Sequence, residues 1–465
     1  MTNQCEFIFA LATTNLRSAL HLHRLSGNGI FQILSPYVFL PQSEINLKLD
    51  DISNKTVTRY VHIKNKEGVL IDDVVITLFP NPKSFTGEDV IEISTHGNPI
   101  ISNMLHSLLR KIGLRDAKPG EFTQRAMLNG KLDLAQAEGI NELIHAESVG
   151  AIELARNNLE GLLSKETLQI RNELVELLAY LEAHIDFAPD EVGNYEPRVL
   201  LPKIEAIKNK LTSLYSTYEN GLKIREGLKI VLCGKPNSGK SSLYNALLKY
   251  DKAIVTNIPG TTRDVLEDKL LIENKEFILL DTAGIRETED EVEKIGVSRS
   301  LERMRSADII CYLISLESLQ SREEKEEKID FNSFSFSENK KIVLVYTKKD
   351  LINGQPTINS EHDFVFVSQF DFEELKNKLL QYHNEIMNKT DTKKSPMLIS
   401  QRQKDKVFVA LQFVEECEKL ILLTDYPEKI ASLVNGAKSS LEEIVGEISV
   451  DNVFEKVFST FCIGK

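Results

Sequence analysis

The residues Gly234-Lys235-Pro236-Asn237-Ser238-Gly239-Lys240-Ser241 have the types and spacing of a phosphate-binding loop, G-x-x-x-x-G-K-S/T. Its glycines let backbone N–H groups curl round phosphate oxygens, Lys240 adds a point charge for the outer phosphates, and the Ser241 hydroxyl can ligate Mg²⁺. Three further motifs follow in the order that GTP hydrolysis needs. Thr256 to Asp264 reads as a first switch, in which a threonine completes the Mg²⁺ shell. Asp281-Thr282-Ala283-Gly284 matches D-x-x-G, whose aspartate supports Mg²⁺ through water and whose glycine N–H senses the terminal phosphate. Thr347-Lys348-Lys349-Asp350 places a carboxylate where it can accept from the N1 and N2 hydrogens of guanine, an arrangement that adenine does not offer. Nucleotide contacts are therefore expected from Asn237, Ser238, Gly239, Lys240, Ser241, Ser242, Asp281, Thr282, Ala283, Gly284, Thr347, Lys348 and Asp350.

Two details depart from the common pattern. Thr347 stands where such base loops carry an asparagine that ties them to the phosphate loop, and it offers one hydroxyl for the task. The last base-loop signature survives only as Ser368-Gln369-Phe370. No glutamine follows D-T-A-G to orient water, so another group must do so.

These motifs need strand ends to hold them. Leu228 to Cys233 reads as a buried strand before the loop, and Ser242 to Lys249 as a helix after it. Phe277 to Leu280, Asp308 to Ile314, Lys341 to Tyr346 and Phe364 to Val367 read as further strands, alternating with helices. The expectation is a doubly wound, largely parallel sheet over residues 221–386, in the manner of Ras-like P-loop domains.

The 465 residues exceed what one core accommodates, so about three domains are expected. Hydrophobic residues make up 42% and charged residues 27%, an ordinary globular composition, with no apolar run long enough to span a membrane and no leader pattern. A cytoplasmic location is expected. The formal charge of −13 argues against general nucleic-acid affinity, so any RNA contact needs a local basic patch or a partner's surface. Five scattered cysteines, none spaced as C-x-x-C, suggest neither a zinc site nor a disulfide framework; Cys233 and Cys311 are read as buried small side chains.

Residues 1–119 read as an α+β domain, with strands at Phe7 to Ala12, Ile30 to Leu34, Val57 to Ile63 and Val69 to Leu78, and a helix at Ile100 to Leu109. His96 is read as a satisfied loop histidine. Helical spacing is nearly continuous from Glu121 to Ile185 and resumes from about Pro202 to Tyr218, which makes 120–220 a helical domain. Residues 387–465 carry two more amphipathic helices, Ser400 to Leu423 and Ile430 to Ile444, expected to complete the same bundle with the nucleotide domain inserted between its halves.

Taken together, G-K-P-N-S-G-K-S-S, T-x-I-x-G-T-T-R-D, D-T-A-G-I-R-E, S-F-T-G-E-D-V, the stretch from Pro119 to Glu138 and the terminal F-C-I-G-K resemble the MnmE (TrmE) tRNA-modification GTPases over the whole chain. The resemblance implies a K⁺-activated GTPase whose K⁺ is held by Asn237, Thr256, Ile258 and Thr261, with Ser241 and Thr262 on Mg²⁺. It assigns Glu293 to indirect orientation of the attacking water and Arg286 to the interface between G domains. It also implies a 5-formyl- or methylene-tetrahydrofolate site in the first domain, at Arg24, Glu88, Lys131 and the terminal Lys465, with the tail folded back towards it and Cys462 a candidate thiol. The implied partners are a second copy through the N-terminal domain, G domains that dimerise on GTP, tRNA, and an FAD-binding MnmG (GidA)-type protein in a heterotetramer. The implied reaction is carboxymethylaminomethyl-type modification at carbon 5 of the wobble uridine.

One stretch departs from the family. Where it reads P-P-G-R-G-G-V-G-I-L-R, this chain has Thr14 to Arg24 with no glycine. Two other functions remain open on the residues: a GTP-dependent switch in RNA or ribosome assembly, and a family member that has lost folate use. Arg24, Glu88, Lys131 and the F-C-I-G-K tail separate the first of these, since an assembly switch has no need of them.

Overall fold

The computed structural model describes residues 6–41, 45, 55–251, 267–280, 303–317, 340–351, 362–368, 371–387, 395–423, 426–447, 454 and 457–464. They fall into two compact units, one of residues 1–141, 158–211 and 405–465, the other of 142–157 and 212–404.

The first unit opens with β1 (Ile8–Leu11), β2 (Leu20–Ser26), α1 (Ile30–Leu34), β3 (Val38–Phe39), β4 (Val57–Lys64), β5 (Leu70–Phe79), β6 (Val90–His96), α2 (Pro99–Lys111) and β7 (Arg115–Asp116). The strands form one sheet in the order β3-β4-β5-β6-β2-β1-β7, antiparallel throughout except for β1 beside β7. Strict alternation in β4 and β5 turns Val61, Ile63, Val74, Ile76 and Leu78 onto one core with Leu105, Leu108 and Leu109 of α2. Each such side chain contributes about 1.5–3 kcal/mol by leaving water.

Ile30 to Leu34 is a helix, where the sequence pointed to a strand. Ile30, Phe31 and Leu34 are its buried side chains, at helical spacing, and Gly29 opens the turn at φ 88°. Five residues, four of them apolar, are too few for periodicity to separate strand from helix, and the glycine decides.

The helical expectation from Glu121 onwards resolves into α3 (Glu121–Leu128), α4 (Leu134–His145), α5 (Val149–Leu159) and α6 (Leu162–Asp186), then α7 (Pro189–Val192) and α8 (Leu201–Glu226). Gly130 and Gly161 break the run at φ 68° and 79°. Next come β8 (Leu228–Gly234), α9 (Lys240–Asp251), β9 (Glu267–Ile272), β10 (Lys275–Leu280), β11 (Ile309–Ser315), β12 (Lys341–Thr347), β13 (Asp363–Phe366) and α10 (Glu373–Met387). The chain returns to the first unit through α11 (Gln401–Leu423) and α12 (Pro427–Val445). There α12 packs on α6, and Arg171 reaches Glu442 at 3.2 Å.

The sheet of the second unit runs β13-β12-β11-β8-β10-β9, parallel except for the β9–β10 hairpin. Its central β8 is buried on both faces: Leu228, Ile230 and Leu232 join one core, Val231 and Cys233 the other. This is why Ile230 to Cys233 read as an unbroken apolar run. Among the described residues no helix is long and apolar enough to cross a membrane.

Candidate functional site

At the carboxyl end of β8 the chain turns through Gly234 to Gly239 into α9. Gly234 has φ 144°, and a Cβ there would stand 2.4 Å from the Leu313 carbonyl oxygen. No larger residue lets the loop leave the sheet on this path. Asn237 sits at the exposed apex in the left-handed region, φ 61°. The Lys240 ammonium donates to the Gly234 carbonyl at 2.9 Å and to the Lys235 carbonyl at 2.7 Å, so the cation is already inside the loop it serves. Burial holds its pKa below the usual lysine range. The Ser238 hydroxyl is buried with no hydrogen-bond partner in the protein, and Ser241 and Ser242 are exposed on the first turn of α9. A cationic donor, an orphaned hydroxyl and free helix N–H groups suit a phosphate chain.

Thr347 ends β12 beside this loop. Its hydroxyl donates to the Ser238 carbonyl at 2.8 Å, with the Ile314 carbonyl at 3.4 Å as a longer alternative. The single hydroxyl thus ties the two loops, the task set out for the asparagine it replaces. Lys348 follows at φ 62° with its ammonium 2.6 Å from Glu317, and Asp350 lies exposed in the short turn Lys349–Leu351. Ser368 closes its own turn, where the Ser368 N–H donates to the Asp371 carbonyl and the Asp371 N–H to the Ser368 hydroxyl. Cys233 and Cys311 are buried, as their surroundings in the sequence suggested, and burial pushes the Cys233 thiol up to about 12.

In the first unit, Arg24 on β2 lies opposite Glu92 on β6. Its Nε and Nη2 donate to Glu92 Oε1 at 3.0 and 2.8 Å, and Nη1 donates to the Gly464 carbonyl at 3.1 Å. The C-terminal tail is therefore seated on Arg24 across 440 positions of sequence. Glu88 Oε2 accepts from Ser26 Oγ at 2.7 Å and from Arg125 at 3.0 Å, while Oε1 has only a longer contact with Arg125, at 3.2 Å. Oε1 therefore keeps capacity for a further donor. Lys131 is exposed and donates to the Pro82 carbonyl at 2.8 Å, and Cys462 is exposed. Arg125, Ser26 and Glu92 complete this cluster, and sequence reasoning did not find them. The Arg24–Glu92 register would have needed β2 to be recognised as a strand.

The glycine-free stretch is held from beneath. Ser18 N donates to the Gly97 carbonyl at 3.0 Å, and Gly97 N donates to the Ala19 carbonyl at 3.1 Å. The Leu16 carbonyl accepts from His21 Nε2 at 2.8 Å, and Ser102 Oγ lies 2.7 Å from His21 Nδ1. His23 Nδ1 is 3.0 Å from His106 Nε2, and burial drives the His23 pKa down to about 3. His96 pairs with Asp72 at 2.8 Å, which raises its pKa.

Thr256, Ile258, Thr261 and Thr262 of the first switch lie outside the described residues, as do Asp281, Thr282, Ala283, Gly284, Arg286, Glu293 and the terminal Lys465.

Two family models cover the chain. One, described as the GTP-binding protein TrmE N-terminus, matches residues 7–131; the other, the MnmE helical domain, matches residues 134–462. The chain is 37% identical to "tRNA modification GTPase MnmE" of Aquifex aeolicus over 468 residues, covering 99% of this chain and all of that one. The proteins of the same name from Carboxydothermus hydrogenoformans and Proteus mirabilis are 35% and 34% identical, over 99% and 94% of this chain and 99% and 96% of their own.

Proposed function

The chain belongs to the MnmE family of tRNA modification GTPases, and from that premise we propose how its own residues divide the work. GTP sits with its phosphates in the loop Gly234–Ser241 and its base at Asp350. Lys240 leaves the two loop carbonyls to meet the outer phosphates, and the Ser238 hydroxyl gains the acceptor it lacks. Ser241 and Thr262 hold Mg²⁺; Asn237, with Thr256, Ile258 and Thr261, holds K⁺. When bound, these cations offset negative charge that develops on the phosphates. Glu293 positions the attacking water, and Arg286 steadies the face that meets a second G domain. The observation that carries this reading is the join between loops, Thr347 to the Ser238 carbonyl at 2.8 Å, which locks phosphate and base recognition into one frame.

The finer tRNA role rests on the first unit. Arg24, Glu88, Lys131 and Lys465 bind a formyl- or methylene-tetrahydrofolate, with Glu88 Oε1 accepting from the ligand and Arg24 holding the tail in place. Cys462 lies on that tail as a candidate thiol. The carbon unit goes to carbon 5 of a wobble uridine, together with an FAD-dependent partner and as a homodimer, in the cytoplasm. The rebuilt stretch from Thr14 to Leu20 favours one second reading, a member that hydrolyses GTP without using folate.

GTP turnover measured in K⁺ and in Na⁺ tests the first half. Turnover should rise several-fold in K⁺, and Asn237→Ala should erase the difference while GTP still binds; a variant that keeps the K⁺ response overturns the assignment. Calorimetric titration with 5-formyl-tetrahydrofolate separates the two folate readings, since saturable binding lost in Arg24→Gln supports the first and no binding supports the second.

A further inference from the structure

The second unit holds a cavity of about 290 Å³ that no motif accounts for. Val149 and Leu154 of α5, Ile224 of α8 and Met387 of α10 give it apolar walls. The turn Glu273-Asn274, with φ 47° and 63°, and the first residues of β10 close one side. Glu276 belongs to this lining, yet the residue is only 3% exposed and neither carboxyl oxygen has a hydrogen-bond partner. His383 Nδ1, on the same lining, is also buried without one. A buried carboxyl left this way is costly, since its desolvation is not compensated by any donor.

The cations nearby are engaged elsewhere. Lys223 pairs with Asp308 at 2.8 Å, Lys275 meets Asn384, and Lys269 pairs with Glu147 at 2.6 Å. The exposed carboxylates of Glu153 and Glu273 stand at the rim. The interior therefore combines apolar surface with a buried carboxyl that no donor of the lining reaches, under a rim that carries two further carboxylates. We propose that this cavity binds a small organic cation, an alkylammonium or alkylguanidinium whose head meets Glu276 and whose stem lies against Val149, Leu154, Ile224 and Met387. Water alone would satisfy the carboxyl but leaves the apolar walls without a partner, and a neutral ligand leaves the charge uncompensated.

The test titrates n-propylguanidinium into the full chain by calorimetry, with n-butanol as the uncharged control of similar length. Wild type should bind the cation saturably and butanol not at all. Glu276→Gln, nearly isosteric, should weaken cation binding at least about tenfold, a loss of about 1.4 kcal/mol. Val149→Trp should block the mouth and abolish binding, with GTP affinity retained in both variants as the sign of an intact fold. In wild type, binding should tighten from pH 6 to pH 8, because burial pushes the Glu276 carboxyl up to about 7 while His383, held down to about 4 by burial, stays neutral throughout; this comparison needs no variant. Equal binding of butanol, unchanged affinity in Glu276→Gln, a flat pH response, or no saturable binding of the cation overturns the proposal.

Discussion

Two regions of the molecule depart from the family pattern, and they absorb the departure differently. In the base loop, Thr347 replaces an asparagine yet places a hydroxyl 2.8 Å from the Ser238 carbonyl, so the donor survives although the residue type does not. In the stretch from Thr14 to Leu20 the glycines are gone, and a different scaffold stands in their place. Its backbone is held by Gly97 and its Leu16 carbonyl by the buried His21, with His23, further along the same strand, paired with the half-buried His106. A single polar contact can be passed to another side chain with the backbone unmoved. Lost glycine conformations need new supports from neighbouring elements.

The largest expected effect falls on the rebuilt stretch. A Cβ at Gly97 would stand 2.2 Å from the Ser18 carbonyl oxygen, a backbone atom that can move only with the whole turn. Gly97→Ala should destabilise the first unit by about 3 kcal/mol, read as a fall in melting temperature, while GTP affinity is kept. A loss below about 1 kcal/mol would mean the stretch is soft, and the contrast between the regions would fail. Next comes Thr347→Val, which keeps the shape and leaves the buried Ser238 carbonyl without its donor. An orphaned acceptor of this kind costs about 1–3 kcal/mol, so GTP affinity should drop roughly tenfold. Thr347→Asn should retain or improve it, and a Val variant with unchanged affinity would show that the tie carries nothing.

The same contrast governs what could be read from the sequence. The strands β8, β10, β11 and β12 and helix α9 were legible because parallel strands buried on both faces write themselves as mostly apolar runs, and the loops at their ends have fixed spacing. The tie through Thr347 was legible as a question, and its hydroxyl on the Ser238 carbonyl is the answer. The strand β2 was not legible, because its buried face is lined by His21 and His23 while Leu20 points to solvent, 61% exposed. Hydropathy there alternates in the wrong phase, since polar rings paired with each other replaced apolar filling. With β2 unread, the pairing of Arg24 with Glu92 could not be seen either. Glu276 escaped for a similar reason: one acidic residue in an apolar strand looks like an outward-facing position, and only the packing of α5, α8 and α10 encloses it.

The smallest expected effect probes the histidine scaffold by pH. One proton lies between His23 Nδ1 and His106 Nε2, and charging both rings would set two N–H groups against each other. Burial, with His106 and His21 nearby, holds the folded His23 pKa near 3, against 6.5 for an ordinary histidine. A base whose folded pKa is depressed stays neutral in the native state while the unfolded chain takes up the proton. Stability therefore falls as pH drops below 6.5, and continues to fall until the folded ring itself is protonated near 3. Between pH 6.5 and 5.5 this one group should remove about 1 kcal/mol, from the ratio of unfolded protonation at the two values. His23→Gln keeps a side chain that can reach Thr95 and has no proton to gain. Its stability should be lower than wild type at pH 7.5, but its loss between pH 6.5 and 5.5 should be smaller by about 1 kcal/mol in thermal melts at matched ionic strength. Equal slopes in the two proteins would place the acid sensitivity elsewhere, in His383 or the other histidines, and would leave the rebuilt stretch no more dependent on its rings than the base loop is on its threonine.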